Sequence, residues 1–430
     1  MTTPAPLPPR GCPAHAHSTD RVPADVDSAP TAADRAPGRS ASAQRPSAAP
    51  GCPEPAHPVD RALPTDRTLP EAGSPVPAAA SRRSAARRAD RGVYLASHPV
   101  LFALLAATRR RPVLRLGRTV LVHDPDAYRH VLTRVPLDRT AEHTTGGAAA
   151  RLTDGGGLLF DQDGTEHRAA RRDLTARLGA RAVAELRPAW QRLLSDRLGE
   201  LRGPTDLVPV VRELAGATAA ALTGSPAPPQ VLADAALDAA AAAARDHLPT
   251  LRPRNGTAER AAARLNALLP DPRDAMLAVA AVNTTVAALP RAAAWCARAR
   301  LWDRTGPELA SELLRLTAPS PILPRVAAAD ATVAGTRIRR GDRLVLVARH
   351  AAQSHRDSPA DPAAAAQAVF GAGPHACPGA ALARVQLTDF LVALAPHRPV
   401  LLRSVPARRT ALPGYAEVVV TGERYHGRTP

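Results

Sequence analysis

The chain has 430 residues, a formal net charge of +17 and only 3% aromatic residues. This length allows two or three ordinary domains, or one large domain with a tail. The positive charge favours an acidic partner. We find no nucleic-acid-binding module in the sequence, and aromatic side chains that could stack on bases are scarce, so we expect no nucleic-acid partner.

The four cysteines form neither a metal-ligand pair nor a disulfide framework by their spacing; they are Cys12, Cys52, Cys296 and Cys377. Such usage suits a reducing compartment. The first residues form no apolar signal region, and the longest apolar runs, such as residues 101–107, are too short to cross a bilayer. We therefore expect a cytoplasmic protein that does not contact a membrane.

Residues 1–90 are rich in Pro, Ala, Ser and Arg and show neither helical nor strand periodicity. A segment of this composition buries too little apolar surface to offset the entropy lost on ordering. We therefore predict a disordered tail over residues 1–90 and a folded domain over residues 91–430. In the domain, residues 113–116 and 119–122 predict two strands around a turn. Asp124 and Pro125 predict the start of a helix.

A glycine-rich segment over residues 144–157 precedes a helix that contains His167 and Arg171. These two residues are four positions apart, so they share one helical face. A cationic face of this kind is often simply solvated, but an arginine beside a histidine also matches the geometry of a bound carboxylate. Alanine-rich helical segments follow over residues 180–268, and their sequence indicates no chemistry.

Residues 273–289 predict a long apolar helix in which Asn283 and Thr284 are polar. Pro290 predicts an early end or a kink of this helix. The next helix contains Glu312 and Arg315, whose i, i+3 spacing is ordinarily that of a surface ion pair. Residues 332–338 and 343–347 then predict short strands.

Residues 370–379 read Phe-Gly-Ala-Gly-Pro-His-Ala-Cys-Pro-Gly and precede an alanine-rich helix. The glycines permit backbone angles and close approaches that a side chain would prevent. The following helix begins beside Cys377, and its N-terminal dipole favours a thiolate there. A thiolate without a second cysteine nearby is suited to be a single axial ligand of iron. The simpler interpretation of Cys-Pro-Gly alone is a turn with a buried free cysteine.

The full spacing Phe-Gly-x-Gly-x-His-x-Cys-x-Gly resembles the haem-binding loop of the cytochrome P450 family, and the resemblance covers residues 91–430. It implies a mainly α fold with small β-sheets, a haem-thiolate fold that holds haem b (iron protoporphyrin IX). It implies Cys377 as the metal ligand and Thr284 and Asn283 as catalytic residues. It assigns the remaining contacts with the cofactor to His167, Arg171, Arg325 and His375.

The resemblance further implies a monooxygenase of secondary metabolism. Such an enzyme oxidises a small apolar or aromatic molecule with O2 and takes electrons from a ferredoxin or flavodoxin-type donor. The resemblance assigns Glu312 and Arg315 to the family's buried Glu-Arg-Arg lock. Residues 348–369 offer no clear third member of this lock. His355 or Arg356 could take the place of that third member. Asn283 stands where the family usually has an acid. Three alternatives therefore remain: oxidative C–C or C–N coupling, a peroxide-driven enzyme, and a non-catalytic haem-binding or sensor protein.

Overall fold

A computed structural model describes residues 76–142, 144, 146–147, 162, 164–247 and 256–426. Most of the glycine-rich segment over residues 144–157 and all of residues 1–75 lie outside the described residues, and so do Cys12 and Cys52. The described α-helices, in chain order, are α1 Val76–Ser97, α2 Pro99–Thr108, α3 Pro125–Arg134, α4 Gly164–Leu178, α5 Ala180–Leu198, α6 Leu207–Thr223, α7 Pro229–His247, α8 Thr257–Asn266, α9 Ala275–Ala299, α10 Pro307–Thr317, α11 Ala348–Ala351, α12 Pro362–Ala368 and α13 Ala380–Leu394.

The described strands are short, and three small sheets contain them. They are β1 Val113–Leu116, β2 Thr119–Val122, β3 Leu137–Asp138, β4 Thr205–Asp206, β5 Leu323–Ala327, β6 Ala331–Val333, β7 Thr336–Ile338, β8 Arg343–Leu346, β9 Val400–Pro406 and β10 Tyr415–Thr421. The largest sheet has the order β1-β2-β8-β5-β3, the second the order β4-β10-β9, and the third pairs β6 with β7. The mainly α fold with small sheets predicted from the sequence is confirmed.

The first helix corrects the boundary that we predicted at residue 91. Helix α1 begins at Val76, and its residues Asp90 and Tyr94 are buried. Asp90 accepts hydrogen bonds from the guanidinium of Arg291 on α9, at 2.6 and 2.9 Å. A buried ion pair of this kind holds α1 against the domain. The composition of residues 76–90 does not predict this helix, because Arg291, which binds it, lies 201 positions after Asp90 in the chain.

The long apolar helix extends further than its sequence predicts. We expected it to end or kink near Pro290, yet α9 runs from Ala275 to Ala299 with Pro290 buried inside it. A proline inside a helix removes one hydrogen bond and costs about 3 kcal/mol. Residues 287–296 are all buried, and we attribute the continuity of the helix to this packing.

Helix α9 also lies in the interior of the protein. Together with the preceding turn it forms the single described helix, Pro272–Ala299, that is long and apolar enough to cross a membrane. However, 67% of its apolar window is buried inside the protein. The helix is therefore explained by packing in the core, where its neighbours include α6, α7 and α1.

Candidate functional site

The loop before α13 folds back on itself around Cys377. The backbone N–H of Cys377 donates to the carbonyl of Phe370 at 2.7 Å, and the backbone N–H of Gly379 donates to the Cys377 sulfur. The guanidinium of Arg384, one turn into α13, stacks on the Phe370 ring at 4.5 Å. These contacts fix the position of the sulfur relative to the start of α13.

Gly373 is required by the packing of this loop as well as by its backbone. Its φ is +72°, and an added Cβ would lie 3.1 Å from the carbonyl oxygen of Leu132 and 3.2 Å from Thr133 Cγ2. Both contacts belong to the last turns of α3. A side chain at this position would therefore move the loop away from α3, and the sulfur with it.

The charge state of Cys377 depends on opposing influences. Burial raises the pKa of the Cys377 thiol, while the N–H of Gly379 and the charges of Arg171 and Arg384 lower it. The side chain of Cys377 is nevertheless exposed to solvent. The net pKa of the thiol is raised. Coordination to a metal ion would deprotonate such a thiol.

His167 and Arg171 of α4 both reach the cysteine loop. The rings of His167 and His375 lie with their centroids 3.8 Å apart, and His167 is almost fully buried. The guanidinium of Arg171 donates to the carbonyl of Ala376. The structure thus brings together three of the predicted cofactor contacts beside Cys377. The interpretation of His167 and Arg171 as a merely solvated face is wrong for these two side chains.

Arg325, on β5, is half-buried, and the Nε atom of its guanidinium is fully buried. Burial and the nearby charge of Arg139 lower its pKa to about 10, while Tyr128 raises it. One guanidinium nitrogen donates to the carbonyl of Pro324 at 2.8 Å, but the buried Nε of Arg325 has no hydrogen-bond partner among the described residues. A buried cation close to a second cation is costly unless an anion joins it. A negatively charged group beside Arg325 would therefore stabilise this arrangement.

The polar residues of α9 form a separate group. The hydroxyl of Thr284 donates to the carbonyl of Ala280 at 2.7 Å, within the helix. Thr285 donates to Gln386 of α13 at 3.2 Å, and Gln386 donates in turn to Thr218 of α6 at 2.7 Å. Residues 283–285 contain no titratable side chain, and the described structure records no hydrogen bond from Asn283 or Thr284 to the cysteine loop.

In the Glu312–Arg315 ion pair, the Arg315 side chain is buried, with 1% of its surface exposed. The guanidinium of Arg315 donates to both carboxylate oxygens of Glu312, at 2.6 and 2.7 Å. Its remaining donors bind the carbonyls of Ala352, Gln353 and Arg356, at 3.2, 2.8 and 3.0 Å. Backbone carbonyls thus complete the lock, and the side chains of His355 and Arg356 do not join it.

Comparison with solved structures identifies this architecture. P450 EryK from S. erythraea, in a mutant form bound to erythromycin B, is 20% identical to the chain with a TM-score of 0.60, covering 78% of this chain and 99% of EryK. The Bacillus subtilis P450 PksS is 18% identical with a TM-score of 0.59, covering 77% and 99%. CYP109B1 of Bacillus subtilis is 19% identical with a TM-score of 0.57, covering 76% and 100%. The chain has the cytochrome P450 fold. The resemblance to the cytochrome P450 family, which the sequence of the cysteine loop indicated, is confirmed at the level of the fold.

Sequence comparison extends over a smaller part of this P450-fold chain. The proteins named cytochrome P450 140 of Mycobacterium bovis and Mycobacterium tuberculosis are 38% identical to it over 93 residues, which is 20% of this chain and 20% of each relative. The chain thus spans about a fifth of the length of these curated relatives. No family model matches the chain. The low identities leave activity and substrate to be argued from the site.

The residues of the site fit a haem. Cys377 offers one sulfur to an iron atom, with an N–H and two arginines disposed to stabilise its negative charge. His167, Arg171 and Arg325 supply donors of the kind that carboxylates bind. The buried Nε of Arg325, which has no hydrogen-bond partner in the described part of the chain, is the observation that most directly calls for such an anion. An iron porphyrin with propionate groups supplies both the metal and the anions.

Sequence reasoning missed several residues that shape this site. Arg139 and Tyr128 face Arg325, although neither lies in a motif. Gln386 connects α9 with α13 through Thr285, and its position within an apolar helix was the one available signal. Arg139 follows β3 immediately, but nothing in the local sequence predicts that β3 pairs with β5.

Proposed function

We propose that this protein is a haem-thiolate monooxygenase that inserts oxygen into a small apolar or aromatic molecule. The observation that carries the proposal is the cysteine loop, in which Gly379 and two arginines stabilise negative charge on a single sulfur. The P450 fold places this loop at the start of α13, which α9 contacts. EryK and PksS share the fold, and they support a substrate from secondary metabolism.

The cofactor in this proposal is haem b. Cys377 would hold its iron, while His167, Arg171, Arg325 and His375 would hold its propionates. When bound, the haem iron supplies the site for binding and reducing O2. The protein supplies the orientation of the cofactor.

Asn283 and Thr284 are the catalytic residues of the proposal. Thr284 donates its hydroxyl hydrogen to the carbonyl of Ala280. Its oxygen therefore remains available to accept a hydrogen bond from a water molecule that carries a proton. Asn283 can donate and accept hydrogen bonds but does not titrate near neutral pH. Protons must therefore arrive through water or from the substrate. This supports a substrate that carries an acidic N–H or O–H group.

The electron donor in this proposal is an acidic ferredoxin or flavodoxin-type protein. Arg168 and Arg172 of α4 are exposed, and both lie beside Arg171, which contacts the cysteine loop. Positive charges near the sulfur favour the encounter with a negatively charged partner. We place the enzyme in the cytoplasm, where such donors are found.

The lack of a titratable group in residues 283–285 favours a second candidate. In oxidative C–C or C–N coupling the substrate supplies its own protons, and no oxygen atom enters the product. A peroxide-driven enzyme and a haem-binding sensor are further candidates, and each predicts a different dependence on electrons and substrate.

The test begins with the full-length protein loaded with haem. A red-shifted absorption band of its reduced, carbon monoxide-bound form reports thiolate ligation. Turnover with 18O2, a reduced ferredoxin and a panel of indoles and phenols then separates the candidates. Incorporation of 18O into the product supports the monooxygenase, and a dimeric product without the label supports coupling. Turnover with peroxide alone, or binding without turnover, would contradict the proposal.

A further inference from the structure

A polar cleft of about 390 Å³ lies apart from the cysteine loop. It is formed by the end of α2, the start of α3 and the loop after α11. Its walls are mostly basic or histidine side chains: Arg109, Arg110, Pro112, His123, Asp124, Pro125, His350, Gln353, His355 and Arg356. None of these residues belongs to the haem site described above.

The arginines of this cleft differ from most others in the structure. Arg109, Arg110 and Arg356 form no ion pair among the described residues, whereas Arg187 and Arg398, for example, each pair with an aspartate. The carboxylate of Asp124 accepts two backbone N–H groups at the start of α3, at 2.8 and 3.0 Å. Asp357, next to Arg356 in the chain, pairs with Arg87. None of the described carboxylates therefore forms an ion pair with the three guanidinium groups, although the Asp124 side chain also lines the cleft.

Electrostatics within the cleft agree with this arrangement. Burial lowers the pKa of Arg109, and so do the charges of Arg349, Arg110, Arg91 and Arg356. The guanidinium groups thus repel one another across the cleft. A bound anion would relieve this repulsion, and it would bind guanidinium donors that have no partner among the described residues.

The histidines of the cleft define a further requirement. Thr108 donates its hydroxyl hydrogen to the carbonyl of Leu104 at 2.8 Å, so it accepts from His123 Nε2 at 3.1 Å. Neutral His123 then accepts at Nδ1 from Nδ1 of His350, 2.9 Å away. Nε2 of a neutral His350 is therefore a hydrogen-bond acceptor, and it makes no hydrogen bond within the described protein. A ligand for this cleft can combine negative charge with one O–H group.

We propose that this cleft binds a small soluble oligophosphate, whose charges pair with Arg109, Arg110 and Arg356 and whose protonated oxygen faces His350. Arginine binds phosphate oxygens in a bidentate manner. Two separate segments of the chain supply the three guanidinium groups, so a ligand with several charged groups matches them better than a single carboxylate. Terminal phosphates titrate near pH 6, so they retain an O–H group in part of the population near neutral pH.

Isothermal titration calorimetry of the full-length, haem-loaded protein with tripolyphosphate tests this assignment, at a fixed ionic strength. We expect saturable binding with one site, and weaker binding of orthophosphate. Arg110→Gln and Arg356→Gln should each weaken tripolyphosphate binding roughly five- to tenfold, because each removes one charge-assisted contact. Arg192→Gln, on the exposed surface of α5, removes the same charge outside the cleft and should change the affinity less than about twofold.

Three outcomes would overturn the proposal. The first is the absence of binding by the wild-type protein, and the second is an equal loss in all three variants, which would indicate diffuse attraction to a basic protein. The third is binding to phosphatidylglycerol vesicles without binding of tripolyphosphate, which would indicate a membrane surface as the partner. Thermal unfolding measures whether each variant is folded. We expect Arg356→Gln to fold, because Arg315 binds the backbone carbonyl of Arg356 and not its side chain.

Discussion

The two largest hydrophobic clusters of the protein are built from different side chains. The cluster that contains the buried face of α13 has 37 buried residues among those described, of which 7 are alanine. The cluster of α6, α7, α8 and α9 has 18, of which 12 are alanine. A buried leucine contributes about 1.5–3 kcal/mol and an alanine much less. The helix after Cys377 is therefore packed more strongly than the α7–α8 region.

This contrast separates two requirements of the site. The cysteine loop has to hold one sulfur in a fixed position, and large side chains such as Phe390 and Leu391 anchor α13 behind it. The α7–α8 region has no motif, and its backbones approach closely: an added Cβ on Gly216 of α6 would overlap the backbone of Pro229. Small residues permit this close approach but leave little apolar area to resist opening. The following predictions test the contrast, beginning with the largest effect.

Removal of the sulfur should abolish the thiolate site without unfolding the strongly packed cluster. Cys377→Ser should lose the red-shifted absorption band of the reduced, carbon monoxide-bound protein, because serine offers no soft anionic sulfur to iron. Cys296→Ala is the matched control, since Cys296 is buried in the same cluster away from the loop, and this variant should keep the band. A Cys377→Ser protein that retains the band would disprove the assignment of the ligand.

Loss of the Arg315 guanidinium should destabilise the region behind the loop. Arg315→Ala leaves the Glu312 carboxylate and three backbone carbonyls without their donor, and we expect the free energy of unfolding to fall by about 3–5 kcal/mol. Arg181→Ala is the control, because its pair with Glu185 is exposed and is worth less than about 1 kcal/mol. Chemical denaturation followed by circular dichroism measures both changes. Equal losses in the two variants would show that the lock contributes no more than a surface ion pair.

Changes in α9 should alter how efficiently electrons are used. Thr284→Ala should increase the hydrogen peroxide released per electron consumed, because a hydroxyl that can hold a proton-bearing water is lost. Asn283→Asp introduces a titratable group and should change the same ratio with pH. Peroxide and product are measured together on one substrate. If both variants match the wild type, these residues take no part in proton delivery.

The α7–α8 region should open more readily than α13. We expect backbone amides of α7 and α8 to exchange with deuterium roughly tenfold faster than those of α13, since fewer large side chains must be exposed for local opening. Hydrogen exchange followed by mass spectrometry compares peptides from the two regions in one sample. Equal protection would indicate that alanine packing stabilises its helices as well as leucine packing does.

A smaller effect is expected beside the sulfur itself. Pro378 has no N–H, so Gly379 supplies the backbone donor to Cys377. Pro378→Leu adds an N–H next to the sulfur, and a second donor should raise the reduction potential of the bound haem by withdrawing electron density. Spectroelectrochemical titration measures the potential. An unchanged or lowered potential would show that this N–H points away from the sulfur.

The sequence by itself determined the parts of the protein that local chemistry specifies. The cysteine loop, the two strands β1 and β2, the capped start of α3 and the helix α13 all follow from glycine positions, strand alternation and capping residues over short stretches. The spacing around Cys377 predicted the P450 fold before any contact was known. The shared face of His167 and Arg171 on α4 was also predicted, because the facing of residues four positions apart depends on local spacing alone.

Only the tertiary structure decided the features that depend on distant partners. Helix α1 is ordered because Asp90 meets Arg291, and α9 continues through Pro290 because its surroundings are buried. Arg315 completes its lock with backbone carbonyls, which no sequence motif encodes. Arg139 meets Arg325 near the point where β3 pairs with β5. Each of these contacts joins residues far apart in the chain, and its energy depends on burial that only the folded protein creates.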